Sequence, residues 1–304
     1  MDQATTLRKI VNLNKFEEGP QPKLSGRMRV IAITSGKGGV GKTNIVLNLC
    51  MALSSRNRRV LLLDADMGLA NVDVLLGLTP KYTLEHVMNR QKDVRDIMLT
   101  GPAGFRILPS GSGISELSEM TYEQQMHLFQ ELSKIDDDLD YLFIDTGAGI
   151  SSNVLRFNAS ANEILIIANP EPTSITDAYA LMKLLAIKYH IRDFGLIANS
   201  VTSRADGQGV YDTLERVCSQ FLKVNLNFLG WIPFDANFRR TVRQQKPLLE
   251  LYPDSPAAKS ISRIADLLDS HSVTQLPPQA AAAAEIGPEK ASSFWDRLLH
   301  WKKM

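Results

Sequence analysis

The octapeptide Gly36-Lys-Gly-Gly-Val-Gly-Lys-Thr43 restricts what this chain can fold into more than any other feature. It follows the apolar, β-branched run Arg29–Thr34 and precedes a segment that carries Ile45, Leu47, Leu49 and Leu53 in a helical pattern. Strand, glycine turn and helix in that order form a phosphate-binding loop, the signature of nucleoside triphosphate binding. Without a Cβ at Gly36, Gly38, Gly39 and Gly41, the backbone N–H groups around Val40 can close on phosphate, and the following helix aims its positive dipole end at the same charge. Lys42 is placed to neutralise the β- and γ-phosphates, and the Thr43 hydroxyl to ligate Mg²⁺. Lys37 adds a second lysine at the front of the loop.

Alternation along the rest of the chain enlarges this unit into a domain. Strand-like runs recur at Val60–Leu63, Phe105–Leu108, Tyr141–Ile144, Ile164–Ala168, Phe194–Ala198 and Phe228–Ile232, with helix-length patterns such as Tyr122–Leu132 and Asp177–Tyr189 between them. Such alternation predicts an α/β fold, a doubly wound and largely parallel sheet flanked by helices, over residues 28–272. The 304 residues, 44% hydrophobic and 22% charged, suffice for that core. A formal net charge of +1 supplies no global field for nucleic acid. The two cysteines, Cys50 and Cys218, have no metal spacing and read as small core residues. With no N-terminal signal peptide and no apolar run long enough to span a bilayer, a cytoplasmic location is expected.

Carboxylates fall where open α/β sheets bind ligands, at the C-terminal ends of strands. Val60–Leu63 runs into Asp64-Ala-Asp66 and on through Asn71, while Tyr141–Ile144 ends at Asp145, with Gly149 four residues later. Asp145 suits the metal shell, and the Gly149 N–H suits a γ-phosphate contact from a switch loop.

Together the Gly36–Thr43 loop with Lys37, the Asp64-x-Asp66 pair and Asp145-x-x-x-Gly149 resemble the deviant-Walker P-loop ATPases related to MinD, ParA and the nitrogenase iron protein. The resemblance covers nearly the whole domain. It implies an ATP-dependent homodimer in which Lys37 reaches the partner's phosphates, Lys42 and Asp66 act in catalysis with Asp66 positioning water, and Thr43, Asp64 and Asp145 serve Mg²⁺. It makes Asp66, Asn71, Asp145 and Gly149 switch residues, and places Asn199, Pro233 and Asp235 near the adenine. Two alternatives sit beside it: a ParA-like partition protein whose dimer binds DNA, and an iron–sulfur carrier, which needs paired cysteines that this chain lacks.

Both termini narrow the resemblance. Residues 1–27 form a short segment and a linker marked by Pro20, Pro22 and Gly26, and Asp2-Gln3-Ala4-Thr-Thr-Leu7-Arg8 is similar to a motif of the FlhG/FleN family of flagellar regulators. In that family the motif activates the GTPase of FlhF, a signal-recognition-particle-type protein. Ala4, Leu7 and Val11 fall on one stripe of a helix too short to persist alone, so it would order on a partner. Flagellar switch-complex proteins and a flagellar transcription regulator are further partners implied by the resemblance, and direct DNA binding is not expected. Residues 273–292, rich in Ala and Pro, form a tether. In residues 293–304, Phe294, Trp295, Leu298, Leu299 and Trp301 share a helical face flanked by Arg297, Lys302 and Lys303. That composition predicts an interfacial helix holding the protein reversibly to the anionic inner face of the cell membrane, the alternative being a terminal helix docked back on the domain.

Overall fold

A computed structural model describes residues 28–66, 72–109, 121–270 and 294–299. Eight strands form one sheet in the order β3-β4-β2-β5-β1-β6-β7-β8. They are β1 (Arg29–Ser35), β2 (Val60–Ala65), β3 (Leu99–Thr100), β4 (Arg106–Leu108), β5 (Tyr141–Ala148), β6 (Glu163–Ala168), β7 (Asp193–Val201) and β8 (Asn225–Pro233). Every pairing is parallel except β3 with β4. The central strands are buried on both faces, which is why they read as continuous apolar runs rather than as alternation. All seven strand runs read from the sequence lie in this sheet. The two-residue antiparallel β3 was not visible, because two residues carry no periodicity.

One layer of helices comprises α1 (Lys42–Ser54), α2 (Val72–Leu76), α9 (Asn237–Gln244), α10 (Leu248–Leu251) and α11 (Pro256–Ser270). Here α1 is apolar almost all round because α11 covers it from outside. The other layer holds α3 (Leu84–Met88), α4 (Val94–Ile97), α5 (Tyr122–Ser133), α6 (Ser152–Ser160), α7 (Pro172–Tyr189) and α8 (Arg204–Phe221). Pro172 opens α7 five residues before the apolar pattern begins, since its fixed φ and missing N–H suit a first helical turn.

The last described helix, α12 (Phe294–Leu299), lies against α5 and α6. Phe294, Trp295 and Leu298 are buried in the same cluster as Leu128, Leu132, Ile135 and Phe157. The Trp295 indole donates to Asp136 at 2.7 Å, Arg156 Nε donates to the Leu298 carbonyl at 2.6 Å, and Arg297 Nε donates to the Ser160 carbonyl at 2.9 Å. Within the described residues a helix forms over Phe294–Leu299, and Phe294, Trp295 and Leu298 of its apolar face are covered by the domain rather than presented to solvent. Burying three such side chains is worth about 1.5–3 kcal/mol each before ordering costs, and the indole N–H and terminal carbonyl gain partners. The Leu299 side chain, Trp301, Lys302 and Lys303 lie outside what the structure describes, as do Asp2, Gln3, Ala4, Leu7, Arg8 and Asn71.

Candidate nucleotide site

The phosphate loop leaves β1 at its C-terminal end and enters α1 at Lys42. Two of its glycines are dictated by geometry. A Cβ on Gly36 would stand 2.0 Å from the backbone carbonyl carbon of Asp177, so the loop is seated directly on the backbone of α7. Gly41 has φ +93° at the N-cap of α1, a conformation that a side chain would strain, and a Cβ there would meet the Asn199 amide at 2.7 Å.

Asn199 itself lies within β7, opposite Ile232, and its Nδ2 donates to the Val40 carbonyl at 2.7 Å. In this nucleotide-free conformation its amide donor thus braces the phosphate loop. The next residue, Ser200, has φ +58°, where the β7–β8 register shifts at the ligand edge of the sheet. Pro233 ends β8 beside it. One Asp235 carboxylate oxygen accepts the Asn237 N–H at 2.9 Å, and the other is buried without a hydrogen bond.

β2 and β5 bring Asp64 and Asp145 into direct register. Asp145 is fully buried, and neither carboxylate oxygen has a hydrogen-bond partner. Burial first, then the neighbouring Asp64 charge, push its carboxyl up to about 7, against the opposing pull of the Thr43 hydroxyl and Lys42. Asp64 is held up to about 6, mainly by burial, although it accepts N–H groups from Asp66 at 3.2 Å and Val72 at 3.3 Å. A buried carboxylate with open lone pairs beside the Thr43 hydroxyl supplies oxygen donors suited to Mg²⁺, and the neighbouring Lys42 ammonium supplies positive charge for phosphate. Among the described residues no three His, Cys, Asp or Glu side chains cluster to cage a metal. An ion here would complete its shell with phosphate oxygens and water, as Mg²⁺ in nucleotide sites does.

Among the switch residues, Gly149 is tied by a hydrogen bond to the strand that leads into the loop. The Gly149 N–H donates to the Ser35 carbonyl at 2.9 Å in this nucleotide-free conformation, so contact with a γ-phosphate requires it to leave that bond. Ser35 Oγ in turn donates to the Lys37 carbonyl at 2.7 Å. Asp66 stands near Gly147, where an added Cβ would lie 3.3 Å from its carboxylate. Lys37 Nζ pairs with Glu171 at 2.8 Å and contacts the Thr173 hydroxyl at 3.2 Å, both at the start of α7. Ser35, Glu171 and Thr173 were missed from sequence, although Pro172, shortly after the Ile164–Ala168 strand run, marks a helix start at the ligand edge.

Comparisons with known proteins fit this geometry. A family model described as ParA, NUBPL iron-transfer P-loop NTPase, matches residues 27–269. The chain is 46% identical over 243 residues, 80% of its length and 87% of the relative's, to the antiactivator FleN of Pseudomonas aeruginosa. It is 33% identical over 301 residues, 99% of each chain, to the flagellum site-determining protein YlxH of Helicobacter pylori. Among solved structures, one from the MinC:MinD cell division protein complex of Aquifex aeolicus superposes with a TM-score of 0.63 at 28% identity, covering 81% of this chain and 97% of its own. With the phosphate loop, the paired strand-end carboxylates and these matches together, the chain belongs to the ParA/MinD family of ATP-binding P-loop NTPases, in the group of the flagellar regulators FleN/FlhG and YlxH.

Proposed function

We propose that this protein is an ATPase that dimerises with ATP, associates with the membrane, and regulates flagellar number and placement together with an FlhF-type GTPase. The observation that carries the nucleotide chemistry is Asp145, buried and without a hydrogen bond beside Thr43. Mg²⁺ held by Thr43 and the buried carboxylates would neutralise charge on the phosphates. Lys42, itself buried, adds a fixed positive charge, and Asp66 at the mouth of the site orients water. Lys37 is spoken for by Glu171 in a single chain, so reaching a partner's phosphates requires it to leave that pair. Both members are substantially exposed, so the exchange costs little. The flagellar role rests on the relatives named above and on the N-terminal motif. The iron-transfer description of the family model has no counterpart in paired cysteines, since Cys50 and Cys218 sit buried in different core clusters.

Membrane association would use the face of α12 that now packs on α5 and α6. Arg156 and Ser160, which hold α12, belong to α6, the helix that starts directly after the Asp145–Gly149 switch. A nucleotide-driven shift of that switch therefore acts on the helix that grips α12. No helix among the described residues is long and apolar enough to cross a membrane. Light scattering and turnover with Mg-ATP test the ATPase reading. Lys42→Ala should lose nucleotide binding, Asp66→Ala should accumulate as an ATP-bound dimer, and Lys37→Ala should bind ATP but fail to dimerise. If Lys37→Ala and Asp66→Ala both assemble and hydrolyse like the parent, the in-trans scheme is wrong.

A further inference from the structure

We infer that the joint surface of α2 and α9 is a docking site for an acidic, apolar protein segment. The inner side of α9 is committed to the fold: Phe238 packs on the core, Thr241 is buried, and Gln245, just beyond the helix, donates from Nε2 to the Val74 carbonyl of α2 at 3.0 Å. Its outer side carries Arg239, Arg240 and Arg243, all exposed and, by their spacing, neighbours on one face. No carboxylate among the described residues pairs with any of the three, whereas Arg56, Arg58, Arg59, Arg95 and Lys246 each hold an acidic partner. The same elements also expose apolar side chains: Val242 of α9, 42% exposed, Val74 of α2, 62% exposed, and Phe234 just before α9, 64% exposed.

The mixture identifies the class of partner. Three cations would meet few phosphates of a nucleic acid, and valines have no use against a phosphate backbone. A lipid surface calls for a continuous apolar face such as that of α12, and here single valines are set among guanidinium groups. Arginine with aliphatic and aromatic side chains is the composition favoured at protein interfaces, and the unpaired positive charge asks for carboxylates opposite. One half of this surface is also tied to the nucleotide site, because α2 begins at Val72, whose N–H donates to Asp64 at 3.3 Å. That coupling rests on the nucleotide chemistry proposed for Asp64; the docking surface does not.

The test uses the full chain and a fluorescein-labelled peptide of alternating Glu-Glu and Leu-Leu pairs, followed by anisotropy without nucleotide. The peptide should bind, its Gln-for-Glu counterpart should bind at least about tenfold more weakly, and the triple variant R239E/R240E/R243E should lose binding by a similar factor. Val242→Asp should weaken it as well, while ATP hydrolysis of both variants stays at the parent level. Equal peptide binding by the triple variant and the parent overturns the proposal. So does a parent that ignores the peptide but binds duplex DNA or phosphatidylglycerol vesicles through the same arginines. Loss of ATP-dependent self-association in the triple variant would assign the face to a second copy and equally overturn it. Because the peptide is measured without nucleotide, failure of the surface and failure of the ATPase reading are separate results.

Discussion

Asp145 shows how a single side chain can be held in an unfavourable state by the site it serves. Its carboxyl sits at about 7 in the folded protein, against about 3.9 for an ordinary Asp in an unfolded chain, so the native state binds the extra proton between those values. Stability of the nucleotide-free protein from this group is therefore full below about pH 4 and is lost as pH rises through 7. Asp145→Asn should stabilise the nucleotide-free protein at pH 7.5 by about 1–3 kcal/mol and flatten that pH dependence in thermal melts, while Mg-dependent ATP binding is lost. Asn199 gives a second test. Removing its bond to the Val40 carbonyl in Asn199→Ala loosens the phosphate loop without touching the phosphates, and a loss of about 1 kcal/mol should appear as a roughly fivefold weaker ATP dissociation constant in fluorescence titration. An unchanged constant would show that the loop holds its shape without the brace.

Among the elements, α12 carries two demands on one apolar face, docking and membrane binding. Trp295→Glu removes both: it should destabilise the domain, since burying a charge in the α5–α6 cluster is costly, and it should abolish flotation with vesicles of anionic lipid. Asp136→Ala separates them. It deletes the acceptor of the Trp295 indole and leaves the membrane-facing residues intact, so nucleotide-free protein should float more, not less. Flotation unchanged in both variants would leave α12 a structural helix only. The N-terminal segment behaves as a different kind of element, because nothing in its sequence commits it to the core. A peptide of residues 1–20 should stimulate GTP hydrolysis by the cognate FlhF-type GTPase, with Gln3→Ala removing most of the effect, and deletion of those residues should leave ATP hydrolysis unchanged. An inert peptide at saturating concentration, or a deletion that destroys the ATPase, would sink that idea.

At the scale of the whole molecule, the layered α/β sheet and the phosphate loop are legible in the order of amino acids alone. Both are local in origin: continuous apolar runs mark strands buried on two faces, and a glycine loop between strand and helix needs no distant partner to be recognised. The sequence also marked Asp64, Asp66 and Asp145, because strand ends are visible in the apolar pattern. What those groups meet depends instead on how distant segments pack together. The parallel register of β2 with β5 sets Asp64 against Asp145 although they lie far apart in sequence, and the Asp64 charge adds to burial in raising the Asp145 carboxyl, while Asp64 is raised mainly by its own burial. The contact of Lys37 with Glu171, the brace from Asn199 to Val40 and the seat of Gly36 on α7 likewise join segments far apart in sequence. The fate of α12 was open for the same reason. An amphipathic stripe of Phe, Trp and Leu states only that one face must leave water, and whether lipid or protein covers it depends on the groove between α5 and α6 and on Asp136 and Arg156 waiting at its edges.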